Sequence, residues 1–488
     1  MPLLSPRRYQ YAYLPYERDS FPVRAFTSFE RFLKGMIWGC RMCGNCVLQE
    51  TAFVCPMTCA KGLRNGLCGG STPEKCYVDP TKPCTWYKIY ERAERMGRLD
   101  TLLEVLPPVD GRQAGHETWL DLVRHFRQRE DPIGFGELIF NPDKRAEFFR
   151  DVRQPDWWQG DALYHPPAYE EPVSILERHL RAGLFTVTSE IAPPLSINTN
   201  GMIRKAHLLK DWVVAANFTD NASASPRMSS LASARLTLEM GFEPVMQMQT
   251  RDRDRYALES EAMGAAGLGI RNILCLSGDH LRLGPGPTPR PIQNDMDAIQ
   301  LVWMLRRMRD EGHYLDGRNI KTPPKFFLGA AASPYAAVPR YEAIRTEKKI
   351  NAGAQFIQTQ PIFDYDGFVD WMEALDKRNL TDKAFILPGI IPLKSARAAH
   401  FMADDVPGVV IPPEMVKRMD DAVEQQEEGV QIALELIEKI KNTPGVSGMH
   451  IMAVHWEEIV PRLVEESNLP RPVQELIQAQ AEQVGQTE

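Results

Sequence analysis

Leu184-Phe-Thr-Val-Thr-Ser-Glu190 is the stretch whose reading decides the fold. It is short, rich in β-branched and aromatic residues, and ends on an acid just before Pro193-Pro194. Runs of the same kind recur at Trp212–Asn217, Pro244–Gln249, Asn272–Ser277, Lys325–Ala330, Gln355–Gln360, Ala384–Pro388 and Met449–Val454, with helical stretches between them. Near-continuous apolar runs predict strands buried on both faces, and their alternation with helices predicts a parallel sheet. Eight such units are the complement of an α/β (β/α)8 TIM barrel, placed here over residues 173–488. A doubly wound open sheet is the alternative. Ser174 with Glu177 predicts a capped helix start before the first strand, and Gly183 its stop. Acidic helices between Met415 and Lys441 precede the last strand.

In such a barrel the chemistry belongs at the C-terminal ends of the strands. Those ends are polar here. They read Thr188-Ser189-Glu190, Asn217-Phe218-Thr219-Asp220, Gln247-Met248-Gln249-Thr250-Arg251-Asp252, Ser277-Gly278-Asp279-His280 and Gln358-Thr359-Gln360-Pro361. Residue type alone leaves their roles open. A glutamate at a strand end is commonly a cap or salt-bridge partner, and an aspartate after glycine is commonly a turn residue.

The second unusual stretch lies near the N-terminus. Cys40, Cys43, Cys46, Cys55, Cys59, Cys68, Cys76 and Cys84 fall within 45 residues, while Cys275 stands alone among apolar neighbours. The first residues lack the apolar run of a secretory signal, so disulfides are disfavoured and the cytoplasm is the expected location. Eight thiolates suit two four-cysteine sites. Three cysteines at C-x2-C-x2-C favour two Fe4S4 clusters over zinc, which remains the alternative. Cys40, Cys43 and Cys46 are expected to share a site with one later cysteine, and the other four to form the second. Residues 1–98 hold 15 Lys+Arg against 8 Asp+Glu, a balance of +7 in a chain of net −7. Basic neighbours would offset anionic clusters and steer an acidic electron carrier.

The domains expected are therefore a cysteine-rich metal-binding module at 1–98, a connector rich in Pro and Trp at 99–172, and the barrel. Residues 1–39 read as an ordered arm, 85–98 as a helix closing the module, and Trp119–Arg129 as a short helix in an otherwise irregular connector. The mild overall acidity argues against nucleic-acid binding, and no apolar run reaches the length of a membrane span. Gly264-Ala-Ala-Gly267-Leu-Gly269 precedes a strand instead of following one, so it is not read as a dinucleotide loop. The C-x3-C-x2-C pattern of a radical-type barrel enzyme fails, because Gly62 stands where its third cysteine belongs.

Taken together, residues 174–466 resemble the catalytic barrel of methylenetetrahydrofolate reductases, and residues 27–98 resemble the cysteine-rich small subunit that accompanies acetogen-type reductases. The resemblance implies a flavin, FAD or FMN, and the conversion of 5,10-methylenetetrahydrofolate to 5-methyltetrahydrofolate. It implies that Glu190 is the catalytic acid, that Asp279 lies beside the flavin, and that Gln360 holds the pterin. Thr219, Gln247, Ser277, Gly278, His280, Tyr335 and Lys349 are implied to bind the flavin, Lys349 at its phosphate. Ring opening of the substrate needs a proton on the leaving nitrogen, so the acid must stay protonated near neutral pH. Two departures from the family's NADH-using members stand out. Ala396 occupies the place of a stacking aromatic, and Gln247 that of a histidine. They point away from direct NADH use, toward electrons delivered through clusters by ferredoxin, another redox subunit, or NADH through a partner. A zinc-stabilised scaffold is the rival reading, and homo-oligomerisation is left open.

Overall fold

A computed structural model of the chain describes residues 20–128, 133–141, 144, 145, 147, 148, 154–287, 294–335 and 337–485. Eight parallel strands close into a barrel in sequence order. They are β1 Thr186–Ile191, β2 Ala215–Phe218, β3 Glu243–Gln249, β4 Asn272–Leu276, β5 Phe327–Ala332, β6 Phe356–Pro361, β7 Phe385–Ile390 and β8 Gly448–Ile451. Each lies within a few residues of its expected position, and closure through β1 and β8, Val187 beside Met449, excludes the open sheet. The Gly264–Gly269 segment is the end of helix Arg255–Gly267 and the turn into β4, not a nucleotide loop.

The helix before β1 is Ile175–Arg181, and the Ser174 hydroxyl accepts from the Glu177 amide at 3.1 Å. The reciprocal half of the capping box is absent. Glu177 instead accepts from the Val173 amide at 2.8 Å and pairs with Arg181. Burial holds this carboxylate inside, where the one-residue displacement of its partner costs little.

An apolar layer crosses the lower barrel interior. Val245, Leu274, Phe327, Phe356 and Leu387 fill it, and Phe327 stacks on Phe356 at 4.9 Å between ring centres. Cys275 is buried in the wider core among apolar neighbours, the packed thiol that its surroundings in sequence suggest.

The cysteine-rich N-terminal residues lie against the barrel. Helix Thr85–Arg95 packs Tyr90 on Tyr341 at 4.9 Å, and Tyr87 accepts from the Ala337 amide at 3.0 Å. The connector joins both bodies. Its Trp158 is fully buried against Trp303, and its Pro107 carbonyl accepts from Arg64 at 2.8 Å. Helix Trp119–Gln128 lies where a helix is expected, and the arm contains helix Phe21–Trp38. Residues 1–19 and Arg129 lie outside the described residues. Among the described residues no helix is long and apolar enough to cross a membrane.

Cys68-Gly69-Gly70 shows why two glycines follow a cysteine. A Cβ on Gly69 would touch Ser333 at 3.3 Å, and one on Gly70, whose φ is +84°, would overlap Pro407 at 2.3 Å. The module therefore meets the barrel backbone-first at this point. Gly70→Val is expected to lower stability by about 1–3 kcal/mol through overpacking. Thermal unfolding should read it, with faster limited proteolysis near residue 70 if the module loosens from the barrel.

Candidate active site

Side chains two apart on a strand share a face, and three strands use that rule in the same way. Thr188, Asn217 and Gln358 point into the barrel and join His450 in a buried polar layer. Asn217 donates to Gln358 at 2.6 Å, and Thr188 Oγ1 lies 3.0 Å from His450 Nδ1. Burial lowers the His450 pKa to about 3, so the ring is neutral. Two residues further along each strand stand Glu190, Thr219 and Gln360, at the barrel mouth. The polar layer is thus the floor on which the mouth residues sit.

Glu190 is met from β3 by Gln247, whose Nε2 donates to Oε2 at 3.1 Å. Burial raises the Glu190 pKa to about 7. The Gln247 bond opposes that rise, and the charge of Glu457 adds to it. Glu457 is itself buried and ion-paired with Lys205 at 2.6 Å. The result is a carboxyl able to hold or release a proton near neutrality.

Gln360 is exposed, and among the described residues its side-chain amide has no protein partner. Thr219 Oγ1 and Ser333 Oγ, at the ends of β2 and β5, are buried without a hydrogen-bond partner among the described residues. Buried hydroxyls left unsatisfied on the functional rim suit a polar ligand lying across it. Tyr335 donates to the Asp364 carbonyl at 2.9 Å.

Two further expected residues make no hydrogen bond to the Glu190–Gln247 pair among the described residues. Asp279 is exposed, and its carboxylate accepts from the Ser223 amide at 3.0 Å, outside the Glu190–Gln247 pair. Lys349 is buried. Its ammonium donates to the Ala331 carbonyl at 2.5 Å and lies 3.8 Å from Glu342. Burial lowers its pKa to about 7. Ala331 is one residue from the end of β5, so this ammonium stands close to the barrel mouth. Ala396 is buried at the start of helix Ala396–Asp405.

The loop after β4 faces the cysteine module. Ser277 Oγ accepts from the Ala298 amide at 3.0 Å, and His280 Nδ1 from the Arg282 amide at 3.1 Å. Gly278, at φ +72°, leaves no room for a side chain, since a Cβ would lie 1.9 Å from Gln249. Its carbonyl accepts from Lys61 Nζ at 2.5 Å, and the same ammonium donates to Tyr77 at 3.0 Å. Lys61 lies two residues after Cys59, and Tyr77 directly after Cys76. No local pattern in the sequence marks either residue, because the contact spans 217 positions.

The eight cysteines are free thiols in two groups. Cys40, Cys43, Cys46 and Cys55 line a small, partly open space of about 20 Å³ beside Lys34 and Arg64. Cys59, Cys68, Cys76 and Cys84 line a cavity of about 670 Å³ that His280 and Arg282 also border. The fourth member of the first group is thus Cys55. Burial pushes the Cys55 and Cys84 thiols up to about 11 and Cys59 up to about 12. Among the described residues no three His, Cys, Asp or Glu side chains are grouped to hold a metal ion. The connector clasps the first group. Asn45 and Asp110 exchange two bonds of 3.1 Å, and Gly115 donates to the Met42 carbonyl at 2.8 Å.

A closed (β/α)8 barrel with a proton-holding carboxyl at its mouth is the framework of a barrel enzyme. The family model described as "Methylenetetrahydrofolate reductase" matches residues 175–468, and the chain belongs to that family of oxidoreductases. A second, "Methylene-tetrahydrofolate reductase C terminal", matches residues 23–112, which lie N-terminal here. A "Probable methylenetetrahydrofolate reductase (NADPH)" of Caenorhabditis elegans is 23% identical over 325 residues, covering 63% of this chain and 46% of that protein. The "5,10-methylenetetrahydrofolate reductase" of Escherichia coli (strain K12) is 25% identical over 289 residues, covering 57% of this chain and 88% of that protein. "Methylenetetrahydrofolate reductase 1" of Schizosaccharomyces pombe is 27% identical over 297 residues, covering 58% and 46%. The match therefore spans less than half of the nematode and yeast proteins and most of the bacterial one.

Because the Gln247 bond favours the ionised form of Glu190, Gln247→Leu is expected to raise that pKa above about 7. Carboxyl NMR or infrared titration of the resting protein would read the shift. An unchanged midpoint would remove Gln247 from this role.

Proposed function

We propose that the chain reduces 5,10-methylenetetrahydrofolate to 5-methyltetrahydrofolate with a bound flavin, and that the flavin's electrons come through iron–sulfur clusters held by the two cysteine groups. The observation that carries this reading is Glu190, buried at the mouth of a barrel of this family with its proton affinity near neutral.

Glu190 gives its proton to the leaving nitrogen as the five-membered ring opens, and the substrate becomes an iminium cation. The carboxylate left behind stays on Gln247, which already donates to it. Gln360 offers a free amide that donates and accepts, suited to a pterin edge. A flavin, when bound, supplies hydride to the iminium carbon. Thr219, Gln247, Tyr335, Lys349 and the Ser277–His280 loop are the residues assigned to hold it. Asp279, on that same loop after β4, is assigned a place beside the flavin.

Cys59, Cys68, Cys76 and Cys84 have both the donors and the room for a four-iron cube. Cys40, Cys43, Cys46 and Cys55 have the donors, and their loop would have to open outward to admit one. Such groups supply single electrons when bound. Lys61 and Tyr77 tie the larger chamber to the Gly278 loop, so this chamber is the one assigned to serve the barrel.

Anaerobically purified protein is expected to carry flavin and about eight iron atoms, two cubes' worth. Added 5-methyltetrahydrofolate should bleach the flavin absorbance. Failure to bleach would sink the folate assignment, and zinc without flavin would favour a scaffold. Glu190→Gln should cut folate turnover by about 10²–10⁴-fold while leaving electron exchange with the metal centres intact. The wild-type turnover rate should fall as pH rises through about 7, as Glu190 loses its proton.

Lys61→Met tests the contact between the two bodies. Electron transfer between metal centres and flavin is expected to slow several-fold in stopped-flow traces. Flavin reduction by methyltetrahydrofolate, which does not cross that contact, should keep its rate. Equal slowing of both would reduce Lys61 to a structural prop.

A further inference from the structure

Helix Phe21–Trp38 is amphipathic the wrong way round. Its buried residues are Thr27, Glu30 and Lys34, all polar. Glu30 is completely buried, ion-paired with Lys34, and accepts from the Thr118 amide at 3.0 Å and the Thr118 hydroxyl at 2.9 Å. The outer face carries Phe21, Phe29, Phe32 and Met36, with Ile37 beside them. These five side chains are between 54% and 77% exposed. At 100° per residue the first four fall within one 80° stripe. A contiguous apolar patch of this kind on a folded chain marks an interaction surface.

The exposed charges on this segment have one sign. Arg24 and Arg31 are seven residues apart, form a row along one side of it, and are exposed, as is Arg41 just beyond the helix. No exposed acid interrupts the segment from Ser20 to Arg41. The helix runs directly into Cys40, and its Lys34 lines the first cysteine pocket. Cys55 of that pocket and Cys59 of the next are separated only by the short turn Pro56–Thr58. Even a fully extended chain would put their Cα atoms at most about 14 Å apart.

We infer that this helix face is the docking surface for an electron-carrier protein with an apolar centre and an acidic rim. The inference rests on the proposed redox role of the cysteine groups. Charge chooses among the candidate occupants. A second copy of the same face would set arginine against arginine. The first 19 residues hold Arg7, Arg8 and Arg18 against Glu17 and Asp19, so they do not complement a basic surface. An acidic carrier does, and the stripe gives it a dry centre beside the outer thiols.

The test uses the full chain and a small acidic ferredoxin as probe. Binding is expected to weaken about tenfold on Phe32→Ser and on Arg31→Glu, and to weaken with salt for the wild type. Flavin bleaching by methyltetrahydrofolate should be untouched in both variants. Loss of bleaching in the wild type would instead count against the folate reading, so the two failures are distinct. Photo-crosslinking from benzoylphenylalanine in place of Phe32 identifies what lies on the stripe. Crosslinks to ferredoxin support the inference. Crosslinks to residues 1–19 or to a second copy overturn it, as does sedimentation of the free chain with anionic vesicles, or ferredoxin binding equal in the wild type and both variants.

Discussion

Closure of the barrel through β1 and β8 is the constraint on which the functional arrangement depends. In a closed parallel ring the register fixes which residues share a layer. Thr188, Asn217, Gln358 and His450 are brought together as a floor although they come from four strands. The next inward position on three of those strands then becomes the mouth. Glu190 is buried and kept from full ionisation because of where closure puts it, with Gln247 reaching it from β3 and Glu457 lending charge from the loop after β8. A one-residue slip of β1 would turn Glu190 outward and leave the floor incomplete.

The fold was readable from the sequence because eight buried strands leave eight apolar runs, and period alone finds them. The capped helix before β1 was readable for its first half. The second half failed because Glu177 answers to Arg181 and Val173, partners that a capping rule does not see. The site was readable where chemistry follows strand ends, as at Glu190 and Gln360. At Lys349 the strand-end rule is silent, since the residue lies on a helix and only folding turns its ammonium toward the Ala331 carbonyl. Cys55 and Cys59 could not be divided between sites by spacing, since the turn at Pro56–Thr58 sends neighbours in sequence to different pockets. Lys61 and Tyr77 carry no local signal, for their importance comes from a partner more than two hundred residues away.

The two bodies of the molecule are joined by contacts of different character. Aromatic packing of Tyr87 and Tyr90 on Tyr341, together with Glu94 on Arg340, supplies adhesion away from the chemistry. The glycine pair at 69 and 70 supplies close approach. Lys61 supplies direction, since a single ammonium pins one carbonyl of one loop. The aromatic contacts meet helix Pro339–Asn351, while the Lys61 contact meets the Gly278 loop directly.

The clasp of Asn45 and Asp110, with Gly115 on Met42, bears on how the protein is made. Synthesis runs from the N-terminus, so the first cysteine loop leaves the ribosome well before the strap that later closes over it. Anything larger than a water molecule bound for that loop is most easily seated while the strap is still unfolded. Once shut, the strap leaves Cys40, Cys43 and Cys46 half-buried and Cys55 buried, so a thiol reagent reaches the four unequally.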